Sequence, residues 1–257
     1  MSDTSPVEVR HDGPLLVLRL NRPERLNALD SRSIEQLTAA VKRARQDDST
    51  RCLIVTGAPR ADGRPCFSAG DDVKEAAAGG LPPGNPGAAL CNLIDDLLIP
   101  SIAVIDGICT TGATELALAC DLRIVAETAQ ISDWHLKRLG SGLGGWGAST
   151  RLSRLVGVAQ AKDLILTGKV IDGREALRIG FAQRLATSDG LWQEATEVAS
   201  AICGMRPEGV RMTMAHLGRV EDLSKEESLT FASQLRQWLD PGRQFADSAR
   251  NVLRELD

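Results

Sequence analysis

Two turns that contain glycine are the segments of this sequence best suited to chemistry. CFSAGDDVKE (66–75) and DGICTTGATEL (106–116) each follow a predicted strand and lead into a helix. Backbone N–H groups at such helix entrances bind anions, and two facing turns could bind one oxygen of an enolate or a tetrahedral intermediate. Spacing alone favours the simpler interpretation that Gly70 and Gly112 only permit tight turns. Neither turn has the spacing of a dinucleotide or nucleoside triphosphate site.

Glu115 lies in the first turn of a predicted helix that is otherwise apolar. Periodicity alone favours a role in complementing the helix dipole, which contributes about 0.3 to 1 kcal/mol. Its position shortly after Gly112 also suits a carboxylate that moves a proton near a polarised carbonyl. Asp133 and His135 are further candidates, although a lone histidine is more often a surface or core residue and an aspartate often caps a turn.

The elements that would position these residues follow an α/β pattern. Short β-branched or leucine-rich runs predict four buried strands, at 15–20, 52–57, 102–106 and 122–126. Residues 31–46 predict an amphipathic helix capped by Asp30 or Ser31. Helical spacing dominates the C-terminal third. We therefore expect a core over 1–198 and a helical C-terminal region over 199–257.

Composition excludes several classes of protein. The 257 residues are 43% apolar and 25% charged, which is typical of a globular chain. Aromatic residues make up 3%, the net charge is −4 and the pI is near 5.5, so we expect no nucleic-acid partner. The cysteines lack metal-ligand spacing, and the polar N-terminus predicts a cytoplasmic protein without disulfides. Charged residues and Pro100 interrupt the longest apolar region, so no membrane span is expected.

Several motifs in order give the chain a family resemblance over about residues 7–190. They are LNRPERLNALDS at 20–31, CFSAGDDVKE at 66–75, IAVIDGICTTGATELALACDLRIVAETA at 102–129 and LSRLVG at 152–157. These motifs resemble those of the crotonase superfamily, the enoyl-CoA hydratase/isomerase family. The resemblance implies a crotonase-like α/β spiral of ββα units with a helical C-terminal region that covers the pocket and forms trimers or dimers of trimers.

The resemblance also implies a chemistry and a set of site residues. Members of this family stabilise a thioester enolate with two backbone amides, which by position would be those of Ala69 and Gly112. The substrate is an acyl-CoA thioester, and no metal or redox cofactor is implied. The residues expected to bind the coenzyme A thioester are Arg25, Ala28, Ala69, Gly70, Asp71, Asp72, Lys74 and Gly112.

The sequence departs from the family pattern where the hydratases carry a second glutamate. Glu115 matches the first of their two glutamates, but the segment of the second reads ISDWHLKRLGSGLGGWG. Counting from the preceding strand places His135 at that position, and counting back from LSRLVG leaves a shift of one residue. Asp133, His135 or Lys137 could therefore face the substrate. The second turn also reads TGAT, which makes it bulkier than usual for the family.

These features favour hydration of a 2,3 double bond with Glu115 as the main acid/base. Strict isomerases of the family tend to keep the second acid and can lose the first, the reverse of the pattern here. One alternative is a C–C hydrolase or lyase, or an isomerase, acting on a branched or cyclic acyl group. Another is an acyl-CoA-binding protein without activity. The sequence does not identify the acyl group, whose pocket we expect between 75 and 90 and in the C-terminal helices, with Trp134 and Trp146 as unusually bulky neighbours.

Overall fold

The computed structural model describes residues 5–79, 84–239, 249–250 and 252–254. Within these residues the strands are β1 Val7–Asp12, β2 Leu15–Leu20, β3 Cys52–Gly57, β4 Cys66–Ser68, β5 Ser101–Ile105, β6 Ile108–Thr110, β7 Leu122–Ala126, β8 Gln130–Ser132 and β9 Arg184–Ala186. The helices are α1 Ser31–Gln46, α2 Val73–Ala77, α3 Pro86–Asp95, α4 Gly112–Ala119, α5 His135–Leu139, α6 Ala148–Val156, α7 Val158–Thr167, α8 Gly173–Arg178, α9 Leu191–Gly204, α10 Pro207–Leu217 and α11 Lys225–Gln237.

The strands form one large and one small sheet. The large sheet has the order β1-β2-β3-β5-β7-β9, and all neighbours are parallel except the antiparallel pair β1 and β2. The small sheet has the order β4-β6-β8 and is parallel. Each strand of the small sheet follows a strand of the large sheet along the chain, which is the repeated unit of the predicted spiral.

Both faces of the large sheet are covered by apolar side chains. Alternate residues of β2, Leu16 and Leu18 among them, pack in one cluster with residues of α1, α3 and α4. The residues between them, such as Val17, pack in a second cluster with Leu191 and Ala195 of α9. A parallel sheet buried on both faces reads as a continuous apolar run in the sequence. This explains why β2, β3, β5 and β7 were predictable as strands.

Five shorter or more polar strands were not recognised by periodicity. β4, β6, β8 and β9 have three residues each, too few for a repeating pattern. β1 lies at the edge of the sheet and buries Val7 alone of its side chains. The predicted helix at 31–46 is α1, and Asp30 caps it by accepting the Ser33 N–H at 2.8 Å.

The chain divides into two compact units between Cys203 and Gly204. The predicted boundary after residue 198 lies inside α9, close to this division. The second unit contains α10 and α11, which contact each other. Among the described residues, no helix is long and apolar enough to cross a bilayer.

Candidate active site

The two glycine turns lie side by side at one edge of the small sheet. β4 and β6 are parallel neighbours, so the turns that follow Ser68 and Thr110 leave the sheet at the same edge. A Cβ built on Gly70 would lie 2.9 Å from the Gly112 nitrogen and would overlap the Thr111 hydroxyl. Only glycine fits this approach, and its φ of +89° there also favours glycine.

The main-chain N–H groups of Asp71 and Gly112 lie close together and have no hydrogen-bond partner within the described residues. The Asp71 nitrogen is 3.4 Å from the point that a Cβ on Gly112 would occupy. The N–H of Ala69, which the family resemblance assigned to this pair, instead donates to the Leu26 carbonyl oxygen at 2.9 Å. The Ala69 amide is therefore used by the fold, and the N–H group that lies beside that of Gly112 without a partner in the described residues is that of Asp71.

Thr111 connects the second turn to the first. Its φ is +50°, which is a costly conformation for a β-branched residue. Its hydroxyl lies 2.8 Å from the carbonyl oxygen of Thr110 and 3.2 Å from that of Ala69. Ala113, the other bulky residue of the turn, is fully buried. The threonine hydroxyl therefore ties the two amide-bearing turns together.

Glu115 is buried, with 1% of its surface exposed, in the first turn of α4. Its Oε1 accepts hydrogen bonds from the main-chain N–H groups of Trp146, at 2.7 Å, and Ala148, at 2.9 Å. A Cβ on Gly144 would overlap Oε1. The glycine-rich loop before α6 therefore folds directly onto this carboxylate, a contact that was not expected from the sequence.

His135 lies between Glu115 and Asp133. Its Nε2 is 3.2 Å from Oε2 of Glu115, and its Nδ1 is 2.9 Å from Oδ1 of Asp133. All three side chains are buried. Oε2 of Glu115 and Oδ2 of Asp133 accept no well-aligned hydrogen bond from the described residues. Burial disfavours the charged imidazole, but the hydrogen bond that its Nδ1–H donates to the Asp133 carboxylate and the contact with Glu115 outweigh this effect and raise the pKa of His135 to about 10.

The pairing of the small sheet brings this triad together. Thr110 of β6 pairs with Ser132 of β8, so the residues that follow the two strands lie beside each other. Glu115 follows β6 and His135 follows β8, and they meet for this reason. Lys137, the remaining candidate in the segment, is exposed, and its ammonium lies 5.8 Å from the centre of the Trp134 ring.

A cavity of about 290 Å³ opens beside the amide pair. Its walls are mostly apolar and come from Leu26, Ala69, Asp71, Val73, Ile108, Thr110, Thr111, Gln130, Ser132, Trp134, Arg138, Leu139 and Val170. Glu115 and His135 are not among the residues that line it. Burial and the nearby Glu115 raise the pKa of the Asp71 carboxyl to about 6, although His135 lowers it. Asp71 thus lines the cavity and also interacts electrostatically with Glu115 and His135 of the buried triad.

The other residues expected to contact coenzyme A differ in their surroundings. Arg25 and Lys74 are exposed, and each adjoins a residue that lines the cavity, Leu26 and Val73 respectively. Ala28 is buried, and its carbonyl oxygen accepts a hydrogen bond from Arg22.

The side chain of Asp72 contacts residues that stabilise the fold. It forms an ion pair with Arg22 at 2.9 Å, and its side chain caps α2 by accepting the Lys74 N–H. Arg22 also lies 3.3 Å from Asp30, the cap of α1. Arg22 was not singled out in the sequence, yet it joins the entrances of two helices beside the cavity.

Asn27 is a second residue that the sequence did not single out. It is buried at a φ of +53°, and its side-chain amide donates to the carbonyl oxygens of Ala58, Cys66 and Phe67. These bonds fix the segment that carries Leu26 against the start of the first glycine turn.

Arg123 of β7 holds the other end of α4. Its guanidinium donates to the carbonyl oxygens of Ala117 and Cys120 at the helix C-terminus, and to that of Phe181. The side chain is buried, with 3% of its residue surface exposed. This arrangement fixes α4, and with it Glu115, against the large sheet.

Comparison with known proteins finds similar sequences over most of the chain. The sequence model of the family described as "Enoyl-CoA hydratase/isomerase" matches residues 10–244. A probable enoyl-CoA hydratase of Mycobacterium bovis is 34% identical over 229 residues, which are 88% of this chain and 86% of the relative. The short-chain-enoyl-CoA hydratase of Clostridium acetobutylicum is 31% identical over 233 residues, 89% of this chain and 87% of the relative.

Solved structures show the same fold. An enoyl-CoA hydratase from Bacillus anthracis matches with a TM-score of 0.85 at 29% identity, over 95% of this chain and 96% of that one. One from Mycobacterium tuberculosis matches with a TM-score of 0.74 at 33% identity, over 90% and 98%. The fold class predicted from the motifs is confirmed. The chain belongs to the enoyl-CoA hydratase/isomerase family, the crotonase superfamily that its motifs resemble.

Proposed function

We propose that the protein is an enoyl-CoA hydratase, a carbon-oxygen lyase that adds water across the 2,3 double bond of an acyl-CoA thioester. The observation that carries this proposal is the pair of Asp71 and Gly112 amides, which have no hydrogen-bond partner in the described part of the chain, together with the buried carboxylate of Glu115 in the helix that begins at Gly112. The names of the relatives support the same reaction class.

In this proposal the thioester oxygen accepts hydrogen bonds from the Asp71 and Gly112 amides. When water adds to C3, the electron pair of the double bond moves to this oxygen as an enolate. Fixed amide donors stabilise such a charge, and loss of one donor typically lowers the rate about 10²- to 10³-fold.

Glu115 acts as the acid/base. Its Oε1 is held by two main-chain amides, whereas Oε2 keeps lone pairs for the reacting water. Oε2 takes one proton from water as the C3–O bond forms. The protonated carboxyl then returns a proton to C2 as the enolate collapses, so the product gains one water and Glu115 regains its charge.

In this proposal His135 takes the place of the second glutamate of the family hydratases, and Asp133 orients it. With a pKa of about 10, the imidazole is charged at neutral pH and balances part of the negative charge on the two carboxylates. Asp133 fixes the ring through Nδ1, so Nε2 remains directed at Oε2.

The cavity would hold the pantetheine arm of coenzyme A. Its apolar walls suit that chain, and the exposed cations Arg25 and Lys74 beside it suit the phosphates. Arg138 also lines the cavity and lies 5.3 Å from the Trp134 ring. We further propose, from the family resemblance, a cytoplasmic homotrimer or dimer of trimers that needs no cofactor beyond its CoA substrate.

The charged His135 between two carboxylates also suits a second reaction class. A protonated imidazole can donate to a carbanion, as C–C bond cleavage of a branched or cyclic acyl-CoA would require. A panel of straight, branched and cyclic enoyl-CoA thioesters separates the two. Loss of the conjugated-thioester absorbance supports hydration, whereas release of a shorter product from a cyclic thioester supports cleavage.

The Glu115→Gln variant tests the central assignment. Glutamine keeps the side-chain volume but cannot accept the proton from water, so kcat on a responsive enoyl-CoA should fall about 10²- to 10⁴-fold. Binding of a saturated acyl-CoA should change little. The control is Glu127→Gln, which alters a surface pair with Arg174 and should leave kcat unchanged. Turnover like that of the wild type in Glu115→Gln contradicts the mechanism.

A further inference from the structure

The indole of Trp146 fills the space between the starts of α3 and α4. A Cβ on Gly87 would overlap Cε2 of the indole, and a Cβ on Gly112 would lie 2.9 Å from Cζ3. The ring therefore rests against two glycine Cα atoms, one on each helix. Trp146 has 6% of its surface exposed, whereas Leu143 of the same loop has 72%. Trp146 is the inward-facing bulky side chain of this loop.

Trp146 is fixed to the catalytic carboxylate as well as to the helices. Its main-chain N–H donates to Oε1 of Glu115, and its carbonyl oxygen accepts from Arg151 at 2.6 Å. Arg151 in turn pairs with Asp95 at the end of α3. The main chain of Trp146 is thus held on both sides while its indole packs on Gly87 and Gly112, so a bound acyl group would meet a wall that does not easily move.

The direction of the acyl group follows from the proposed function, on which this inference rests. The thioester oxygen lies at the Asp71 and Gly112 amides, and C2 and C3 must approach Glu115. The cavity, where coenzyme A would enter, is lined by Leu26, Ala69 and Asp71, and Trp146 is not among its lining residues. The acyl carbons beyond C3 then extend away from the cavity, towards the indole of Trp146 that packs on Gly112.

We propose that Trp146 closes the acyl end of the site and restricts the protein to short acyl-CoA thioesters of about the size of crotonyl-CoA. Apolar pockets discriminate by volume, and one methylene changes specificity about 10- to 200-fold. An indole that occupies the path of the chain excludes several methylenes together. This assigns chain-length specificity to one side chain of the glycine-rich loop.

The test compares kcat/KM for crotonyl-CoA and trans-2-decenoyl-CoA in the wild type, Trp146→Ala and Trp146→Leu. The wild type should prefer crotonyl-CoA. In Trp146→Ala, the ratio of decenoyl to crotonyl kcat/KM should rise at least about tenfold, with a smaller rise in Trp146→Leu. Trp192→Ala, at a partly exposed tryptophan of α9, is the control and should leave the ratio unchanged. Trp146→Leu retains apolar packing and keeps the test valid if the alanine variant does not fold.

Binding separates this inference from the proposed reaction. Calorimetry with saturated butyryl-CoA and decanoyl-CoA needs no turnover. A preference for butyryl-CoA that the Trp146 variants weaken or reverse supports the inference, even if no enoyl-CoA is hydrated and the proposed function fails. If crotonyl-CoA is hydrated but neither the kcat/KM ratio nor the ratio of dissociation constants changes in folded variants, the inference is overturned and hydration stands.

Discussion

The pair formed by Glu115 and His135 shows how far single residues could be assigned from the sequence. Glu115 was a candidate because it is a carboxylate in the first turn of an otherwise apolar helix. His135 was a candidate by counting, but its contact with Glu115 depends on the pairing of Thr110 with Ser132, a long-range feature. The Ala69 amide is not free for the expected pair, because it donates to the Leu26 carbonyl oxygen. The Gly70 and Asp72 amides also have acceptors, whereas the Asp71 amide has none among the described residues.

The raised pKa of His135 predicts an unusual pH profile. The imidazole stays charged well above 6.5, so kcat/KM should show no histidine step near that pH and should fall as pH rises through about 10. The effect on folding has the same sign. Because the pKa of His135 is higher in the folded state, its charged imidazole stabilises the fold fully below pH 6.5, and this stabilisation is lost as the pH rises through about 10.

A pH–rate profile of the wild type beside His135→Gln and His11→Gln checks this prediction. His135→Gln should lose the alkaline fall along with much of its rate, and the exposed His11 should not affect the profile. A titration near pH 6.5 in the wild type that His135→Gln removes would mean that the imidazole is neutral in the working enzyme.

Among the secondary-structure elements, those long enough to show a periodic pattern could be predicted from the sequence, and the short strands could not. Strands β2, β3, β5 and β7 carry continuous apolar runs, whereas β4, β6 and β8 have three residues each and leave no pattern. The loop at 140–147 is rich in glycine, which is visible in the sequence. Its contact with Glu115 is made by two main-chain hydrogen bonds, and these cannot be predicted from residue types.

Gly144→Ala should disturb this loop and, through it, the carboxylate. The new Cβ would overlap Oε1 of Glu115, and the φ of +73° is strained for alanine. We expect kcat to fall about tenfold or more, because small displacements of catalytic groups are costly. The matched control is Gly145→Ala, since a Cβ there has nothing within 4 Å. Equal kcat values in the two variants would show that the loop does not position Glu115.

Across the whole molecule, the α/β class and the helical C-terminal third followed from periodicity, whereas the spiral followed from the motifs alone. The division at Cys203 has no marker in composition, since α9 runs continuously to it. The buried Arg123 was equally hidden, because an arginine inside the strand pattern LRIVA gives no sign that it bonds the ends of other elements.

Arg123→Met should destabilise the protein. Methionine fills much of the volume but leaves the carbonyl oxygens of Ala117, Cys120 and Phe181 without their donor, so the free energy of unfolding should fall by about 2 to 4 kcal/mol. Arg184→Met, which breaks a surface pair with Glu194, should change it by less than about 0.5 kcal/mol. Thermal unfolding at one fixed protein concentration measures both. Equal midpoints would show that Arg123 contributes little.

The four amides at Asp71, Gly112, Trp146 and Ala148 have one more consequence. Both the proposed anion site and the orientation of Glu115 rest on main-chain N–H groups, which every residue type except proline supplies. Side chains around the reacting centre are therefore free to diverge while the backbone path is kept. Selection on this site should accordingly act on the few glycines and on Glu115, and let acyl specificity drift among the remaining positions.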